Sequence, residues 1–285
     1  MKITIFTPTY NRRDLLERLY NSLNIQNILN FEWVIVDDGS SDDTELFIET
    51  IKSEAKFDII YIKQVNSGKH IAINKGFEVA NGYWFMIVDS DDYLLPDCVD
   101  NYTRYLDRHE NDNKIATVVF LRSTPDLTTI GECFPDENKP KNLIQRNEMN
   151  IHGDKCEVIK LSKLENLRFP QFNNETFMAE SYLWLSLGKK YDAAFYNIKG
   201  YICDYQDGGL TSRSVANRYR NPISTQCVYS LQYNTFNLKK LRIRAAINYW
   251  RFYKGMPSIK SDVPVLYFFA GKLLSIIDLI KGMRK

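Results

Sequence analysis

Asp89, Ser90, Asp91 and Asp92 follow directly on the apolar run 84–88. A short apolar run bounded by polar residues reads as a buried strand. Its end therefore delivers three carboxylates to one place, outside the carboxyl end of a strand, where open α/β sheets bind ligands. Three acids this close repel one another unless a cation lies among them. A hard divalent ion with oxygen ligands, bridging to substrate phosphates, is the natural occupant. The plainer reading is an Asx-type turn capping the helix that follows Pro96, and the cluster by itself does not decide.

The start of the chain shifts the balance. Residues 3–7 are apolar and are followed by Pro8, Thr9, Tyr10, Asn11 and Arg12, after which Leu15, Leu16, Leu19 and Leu23 recur at helical spacing. A third apolar run, 33–36, ends in Asp37, Asp38, Gly39, Ser40, Ser41 and Asp42, an acidic turn with Ser and Asp to cap the next helix. Three strands thus deliver polar, loop-forming residues at their C-terminal ends, which is how a nucleotide site is built in such sheets.

These residues resemble the family-2 glycosyltransferases, whose nucleotide-sugar-binding fold is called GT-A. The family's P-x-Y-N motif is matched by Pro8-Thr9-Tyr10-Asn11, and its D-D-G-S motif by Asp37-Asp38-Gly39-Ser40. Asn66-Ser67-Gly68-Lys69 with Asn74-Lys75-Gly76 is the third match, and Asp89-Ser90-Asp91 is the metal-binding D-x-D. Four motifs in family order over roughly the first hundred residues are far more specific than any one of them. The remaining two thirds match only loosely.

The resemblance implies an α/β, GT-A domain with a mainly parallel mixed sheet, to which the residue pattern adds a C-terminal helical extension. The resemblance also implies metal-dependent, inverting transfer from a UDP-sugar, and the basic, apolar tail described below suggests a saccharide or lipid-linked acceptor at the membrane surface, of a capsule or other surface polysaccharide. Pro8, Thr9, Tyr10 and Asp38 then line the uracil pocket, with Asp38 accepting from the imide N–H. The alternative for Asp38 is a helix N-cap. Asn66 and Ser90 belong to the same nucleotide-sugar site, and Lys69 either sets a positive charge near the diphosphate or is solvated at a helix start. Asp91 is the ligand for Mn²⁺ or Mg²⁺, Asp89 contacts ribose or metal, and Asp92 either supports them or caps the next helix. Glu180, in Met178-Ala179-Glu180-Ser181 with Trp184 one turn on, is the expected base, although Ser181 stands where the family often has a second acid. Its alternative is an ordinary helix N-terminal acid, with Asp154 and Glu175 as substitutes for the base. Two other functions stay open: a nucleotide-binding scaffold without turnover, and a sugar-phosphate nucleotidyltransferase. The latter normally carries a glycine-rich loop after its first strand, and residues 8–12 contain no glycine.

The elements that must position these residues alternate between strand and helix, with strands near 3–7, 33–37, 59–64, 84–88 and 115–121. Such alternation predicts a mainly parallel sheet covered by helices. Residues 124–150 read as a surface excursion, 155–161 as a strand, 177–187 as a helix and 193–204 as extended chain. Residues 207–211 read as a flexible joint, with helices from 215 onwards. The expected division is a catalytic domain over 1–212, with a nucleotide-binding half (1–122) and an acceptor-side half (123–212), followed by a basic helical region over 213–285.

With 285 residues, 44% of them hydrophobic, the chain can bury a sizeable core of one or two domains. Cys98, Cys133, Cys156, Cys203 and Cys227 are scattered, without zinc-ligand spacing, and read as reduced structural thiols. His70, His109 and His152 are also scattered, with His70 beside Lys69. The N-terminal apolar run is too short for a signal peptide, so a cytoplasmic location is expected. Net charge is unevenly spread: fourteen Lys and Arg stand against Asp262 and Asp278 from 213 onwards, a local net of +12 in a chain of net +2. That asymmetry suggests an anionic partner, read as the inner face of a membrane and not as nucleic acid. In the apolar segment 265–280, Lys272, Ser275, Asp278 and Lys281 fall three apart and leave a wide apolar face. Spanning a bilayer takes ~20 residues, so an interfacial helix is expected. The alternative is that this face packs on the catalytic domain or on a second copy of the chain.

Overall fold

The apolar runs at the start of the chain form β1 (Ile3–Thr9) and β2 (Phe31–Asp37), each buried along its whole length. The structure, a computed structural model, describes residues 2–137, 139–204, 214–255 and 261–284. Helix α1 (Arg13–Asn24) joins β1 to β2, α2 (Thr44–Lys52) leads to β3 (Asp58–Lys63), and α3 (Lys69–Val79) leads to β4 (Trp84–Ile87). A two-residue strand β5 (Tyr93–Leu94), which the sequence did not announce, precedes α4 (Cys98–Asp107) and β6 (Ile115–Ser123). After α5 (Leu143–Glu148) come β7 (Lys155–Lys160), α6 (Ser181–Gly188) and β8 (Asp192–Ile202). The eight strands form one sheet in the order β3-β2-β1-β4-β7-β6-β8-β5. Strands β1 to β4 are parallel, β7 runs antiparallel to both β4 and β6, and β8 is parallel to β6. The result is the expected mixed α/β sheet.

Helical spacing explains why both faces are closed. On one side Leu16, Leu19 and Leu23 of α1 pack with Trp33, Trp84 and Met86; on the other Ala72, Ile73 and Phe77 of α3 pack with Phe6, Val34 and Phe85. Each buried Leu, Ile, Val, Met or Phe among them contributes about 1.5–3 kcal/mol. The 124–150 excursion is not all surface: Asn142 caps α5 by accepting from the N–H groups of Ile144 and Gln145, and Leu143 packs with Val119 and Phe195.

Helix α6 starts at Ser181, four residues later than the pattern suggests. In the chain just before it, Asn221 Oδ1 accepts from the N–H groups of Thr176 and Phe177. Beyond the sheet lie α7 (Ser214–Arg220), α8 (Pro222–Thr235), α9 (Lys239–Arg251) and α10 (Phe268–Ile280). Val228 of α8 joins the core formed by α3 and α6, so the helical region is seated on the sheet domain. The expected joint at 207–211 and the boundary at 212 lie outside the described residues.

Candidate active site

β1, β2 and β4 end at one rim of the sheet, and their loops are laced together there. Asn11 takes a positive φ of 51°, which Asn tolerates better than most residues. Its Oδ1 accepts from Ser41 N at 2.8 Å while its own N–H donates to Ser40 Oγ at 2.8 Å. Asp37 is fully buried and accepts from Ser40 N and Tyr61 OH, both at 2.7 Å. Asp38 caps no helix, since α2 begins after Asp43. Its carboxylate instead fastens the third motif, accepting from Gln64 Nε2 and Ser67 N at 2.7 Å and from Gly68 N at 2.8 Å. Pro8 and Thr9 are buried in β1, Tyr10 stands 48% exposed at the rim, and Asn66 is exposed on the loop that Asp38 holds.

Oxygen atoms of Asp89, Asp91 and Asp92 lie within 4.8 Å of one another. Asp92 caps no helix; its carboxylate accepts from Tyr201 OH at 2.7 Å and from Asp204 N at 3.1 Å, while Tyr201 OH accepts from Asp89 N at 2.9 Å. One phenol of β8 therefore fixes both ends of the acid run. The set offers hard carboxylate oxygens and nothing soft, which suits Mn²⁺ or Mg²⁺.

Four cations surround the acids. Arg12 Nη1 lies 2.8 Å from Asp91 Oδ2 and 3.4 Å from Ser90 Oγ, which is buried beneath the run. Arg18 pairs with Asp204 and donates to the Asp91 carbonyl. Lys69 Nζ lies 2.5 Å from Asp89 Oδ1 and 2.7 Å from Glu180 Oε1. Arg122 stacks 4.1 Å over the Tyr201 ring, with Nη1 3.8 Å from Asp92 and 4.0 Å from Asp89.

The charges follow from this geometry. Burial alone would raise Asp89, but the charges of Lys69, Arg122 and Arg12 hold it below the usual carboxylate range. Asp92 is pushed up to about 6 by burial and by the charge of Asp89 beside it. Burial works against Lys69 as a cation, yet Asp89 and Glu180 override it and raise its pKa. Asp89, Lys69 and Glu180 thus form a continuous ionic chain from the end of β4 to the start of α6.

The structure brings Lys69, Asp89, Asp91 and Glu180 together, and joins Asp38 to the same rim through Gly68, the residue before Lys69. It removes Glu175 as a substitute base, because its two oxygens accept from Ile223 N at 2.8 Å and Ser224 N at 2.6 Å at the start of α8. Asp154 is exposed at the start of β7. Trp184 is half-buried against the apolar cores. Sequence reasoning missed Arg18, Arg122, Tyr201 and Asp204. The signal for Arg122 was present: it is the one charged residue of β6, next to the strand's end.

Residues 4–167 match the family described as Glycosyl transferase family 2. A GalNAc(5)-diNAcBac-PP-undecaprenol beta-1,3-glucosyltransferase of Campylobacter jejuni is 25% identical over 237 residues, covering 77% of this chain and 70% of the relative. Staphylococcus aureus TarS, solved in complex with UDP-GlcNAc, superposes with a TM-score of 0.60 at 16% identity, over 100% of this chain and 90% of TarS. Glucosyl-3-phosphoglycerate synthase from Mycobacterium tuberculosis, solved with Mn²⁺, UDP and glucosyl-3-phosphoglycerate, gives a TM-score of 0.54 at 14% identity, over 81% and 79% of the two chains. At such identities the two structures speak for the fold, which is GT-A.

Proposed function

The chain belongs to glycosyl transferase family 2, and we propose that it transfers a sugar from a UDP-sugar to a saccharide or lipid-linked acceptor of a surface polysaccharide, inverting the anomeric carbon. The observation that carries this reading is the Asp89–Lys69–Glu180 chain, in which one ammonium ties the D-x-D run to the expected base. The complexes named above hold UDP or UDP-GlcNAc, which supports the donor class. The Campylobacter relative is named for an undecaprenol-linked acceptor, which supports the acceptor class. We assign the reaction to the cytoplasmic side, at the periphery of the membrane.

In this reading the acceptor oxygen bonds to the anomeric carbon as the bond to the diphosphate breaks. The electron pair leaves with the diphosphate and the acceptor proton passes to Glu180. One carboxylate oxygen of Glu180 is held by Lys69, which leaves the other free to face an acceptor hydroxyl. Asp91 and Asp89 would hold Mn²⁺ or Mg²⁺, and such an ion, when bound, stabilises the charge developing on the leaving group. Lys69 and Arg12, two of the four cations around that run, are the ones that reach the side chains of Asp89 and Asp91 within 3 Å. No general acid is needed for a leaving group stabilised this way, so the lack of a suitably placed His is no obstacle. Asp38 keeps the loop carrying Asn66 closed over the rim.

The test is release of UDP from a panel of UDP-sugars, with and without Mn²⁺, and with lipid-extracted acceptors. The proposal expects one sugar to be consumed in a metal-dependent way. UDP binding with no turnover on any sugar or acceptor would favour the scaffold, and full activity in EDTA would remove the metal.

A further inference from the structure

Helix α10 is amphipathic in the reverse of the usual sense. Its polar residues face the protein: Asp278 is 3% exposed and Ser275 7% exposed. Asp278 accepts from Arg251 Nε at 2.6 Å and Nη2 at 2.7 Å, a bidentate pair, and from Tyr219 OH at 2.7 Å. Gly271 lets the helix approach α9 so closely that a Cβ there would sit 2.6 Å from the Cβ of Trp250. Leu266, Phe269, Leu273, Ile276 and Ile280, spaced alternately three and four apart, are left 54–82% exposed. Packing of this face on the catalytic domain, one of the two alternatives read from the sequence, is thereby excluded.

We infer that this stripe is a membrane-docking face that lies in the interfacial layer of an anionic lipid bilayer. At 1.5 Å rise per residue the thirteen residues of α10 extend about 20 Å, short of the ~30 Å hydrocarbon core. Among the described residues no helix is long and apolar enough to cross a membrane. A helix of this kind buries its apolar face at the headgroup boundary while basic residues meet the lipid charge. Charge selects this occupant over a second copy of the chain. Lys239, Lys240, Arg242, Arg244, Lys254 and Lys281 are exposed on the helical region, where Asp262 is the one exposed acid among the described residues. Two such surfaces repel each other, whereas anionic headgroups attract them. The Asp278–Arg251–Tyr219 lock keeps the stripe presented outward rather than folded in.

The inference rests on the membrane-peripheral location proposed above and is independent of donor, metal and base. The experiment is co-sedimentation of the full chain with vesicles of phosphatidylcholine and phosphatidylglycerol in equal parts, against phosphatidylcholine alone. The control is the variant Phe269→Ser, Leu273→Ser, Ile276→Ser, whose altered side chains are exposed and leave the core intact. Binding should be strong on the anionic vesicles, fall with added salt, and drop at least ~10-fold in the variant. UDP binding should be unchanged in that variant, so a failure of docking is distinguishable from a failure of the transferase reading. Equal binding by the variant, or a dimer in gel filtration that the variant splits without any vesicle binding by the parent, would overturn it.

Discussion

Arg12 Nη1 lies 2.8 Å from Asp91 Oδ2, so the last acid of the D-x-D run is already paired with a cation of the protein's own. If Asp91 is the metal ligand, Arg12 and the ion compete for one carboxylate. Arg12→Gln should then strengthen Mn²⁺ binding to the free protein by up to about fivefold, the worth of a part-exposed ion pair. Asp91→Asn should weaken UDP binding only when Mn²⁺ is present, because it removes a charged oxygen ligand. Calorimetry with UDP in Mn²⁺ and in EDTA reads both effects. Equal losses in EDTA would mean that Asp91 acts on the fold or on the nucleotide directly.

Glu180 is bound to Lys69 at 2.7 Å, and Lys69 in turn to Asp89. Glu180→Gln keeps size and a hydrogen-bonding oxygen but cannot take up a proton at neutral pH. The transfer rate should fall ~10²–10⁴-fold while UDP affinity stays near the parent's. Transfer at close to the parental rate would move the base elsewhere, with Asp154 next in line.

The part of the fold legible in the sequence was the part built on local pattern. Strands β1, β2 and β4 were visible because continuous apolar runs stop at polar loops, and the rim followed from those stops. What escaped depends on pairing across the sheet. Tyr201 meets Asp92 across 109 residues because β8 pairs with β5, and Arg122 meets Asp89 because only β7 separates β6 from β4 in the sheet, and no local spacing encodes that order. The tie between Asn221 and the N–H groups of Thr176 and Phe177, just ahead of the helix expected over 177–187, was hidden for the same reason, since it spans more than forty residues. In α10 the period of the apolar residues was read correctly, but its orientation was not decidable. Asp278 looks like a solvent residue until Arg251 and Tyr219 are placed against it.

His70 is 1% exposed, packs edge-on to Phe169 with ring centroids 6.0 Å apart, and has no hydrogen-bond partner among the described residues for either ring nitrogen. Burial lowers its pKa from 6.5 to about 4. The unfolded chain therefore binds a proton that the folded chain refuses between these values. Stability is fully present above about pH 6.5 and is lost as pH falls toward about 4, by at most ~3 kcal/mol from this residue. His70→Leu should shrink the difference between urea midpoints measured near pH 5 and near pH 7.5. An unchanged difference would mean that other groups set the acid limb.

Asp38 and Gly68 offer the sharpest separation of binding from scaffolding at this rim. Gly68 adopts φ +95°, its N–H is held by Asp38 Oδ2 at 2.8 Å, and a Cβ there would lie 1.9 Å from Thr176 O, which is backbone and cannot swing away. Gly68→Ala should therefore part the 64–68 loop from the segment leading to Glu180, costing ~1–3 kcal/mol in stability and lowering the transfer rate. Asp38→Asn leaves the N–H groups of Ser67 and Gly68 facing a weaker set of acceptors, with a cost of similar size. Both variants should thus lose UDP affinity through the loop alone. If Asp38 also accepts from the uracil imide, the parent protein should bind UDP much better than its N3-methylated analogue, which has no such N–H. Gly68→Ala should keep that preference, since the carboxylate remains, while Asp38→Asn should narrow it. Titration of both nucleotides against the three proteins settles the matter, and equal preference in parent and Asp38→Asn would leave Asp38 with the loop as its only task.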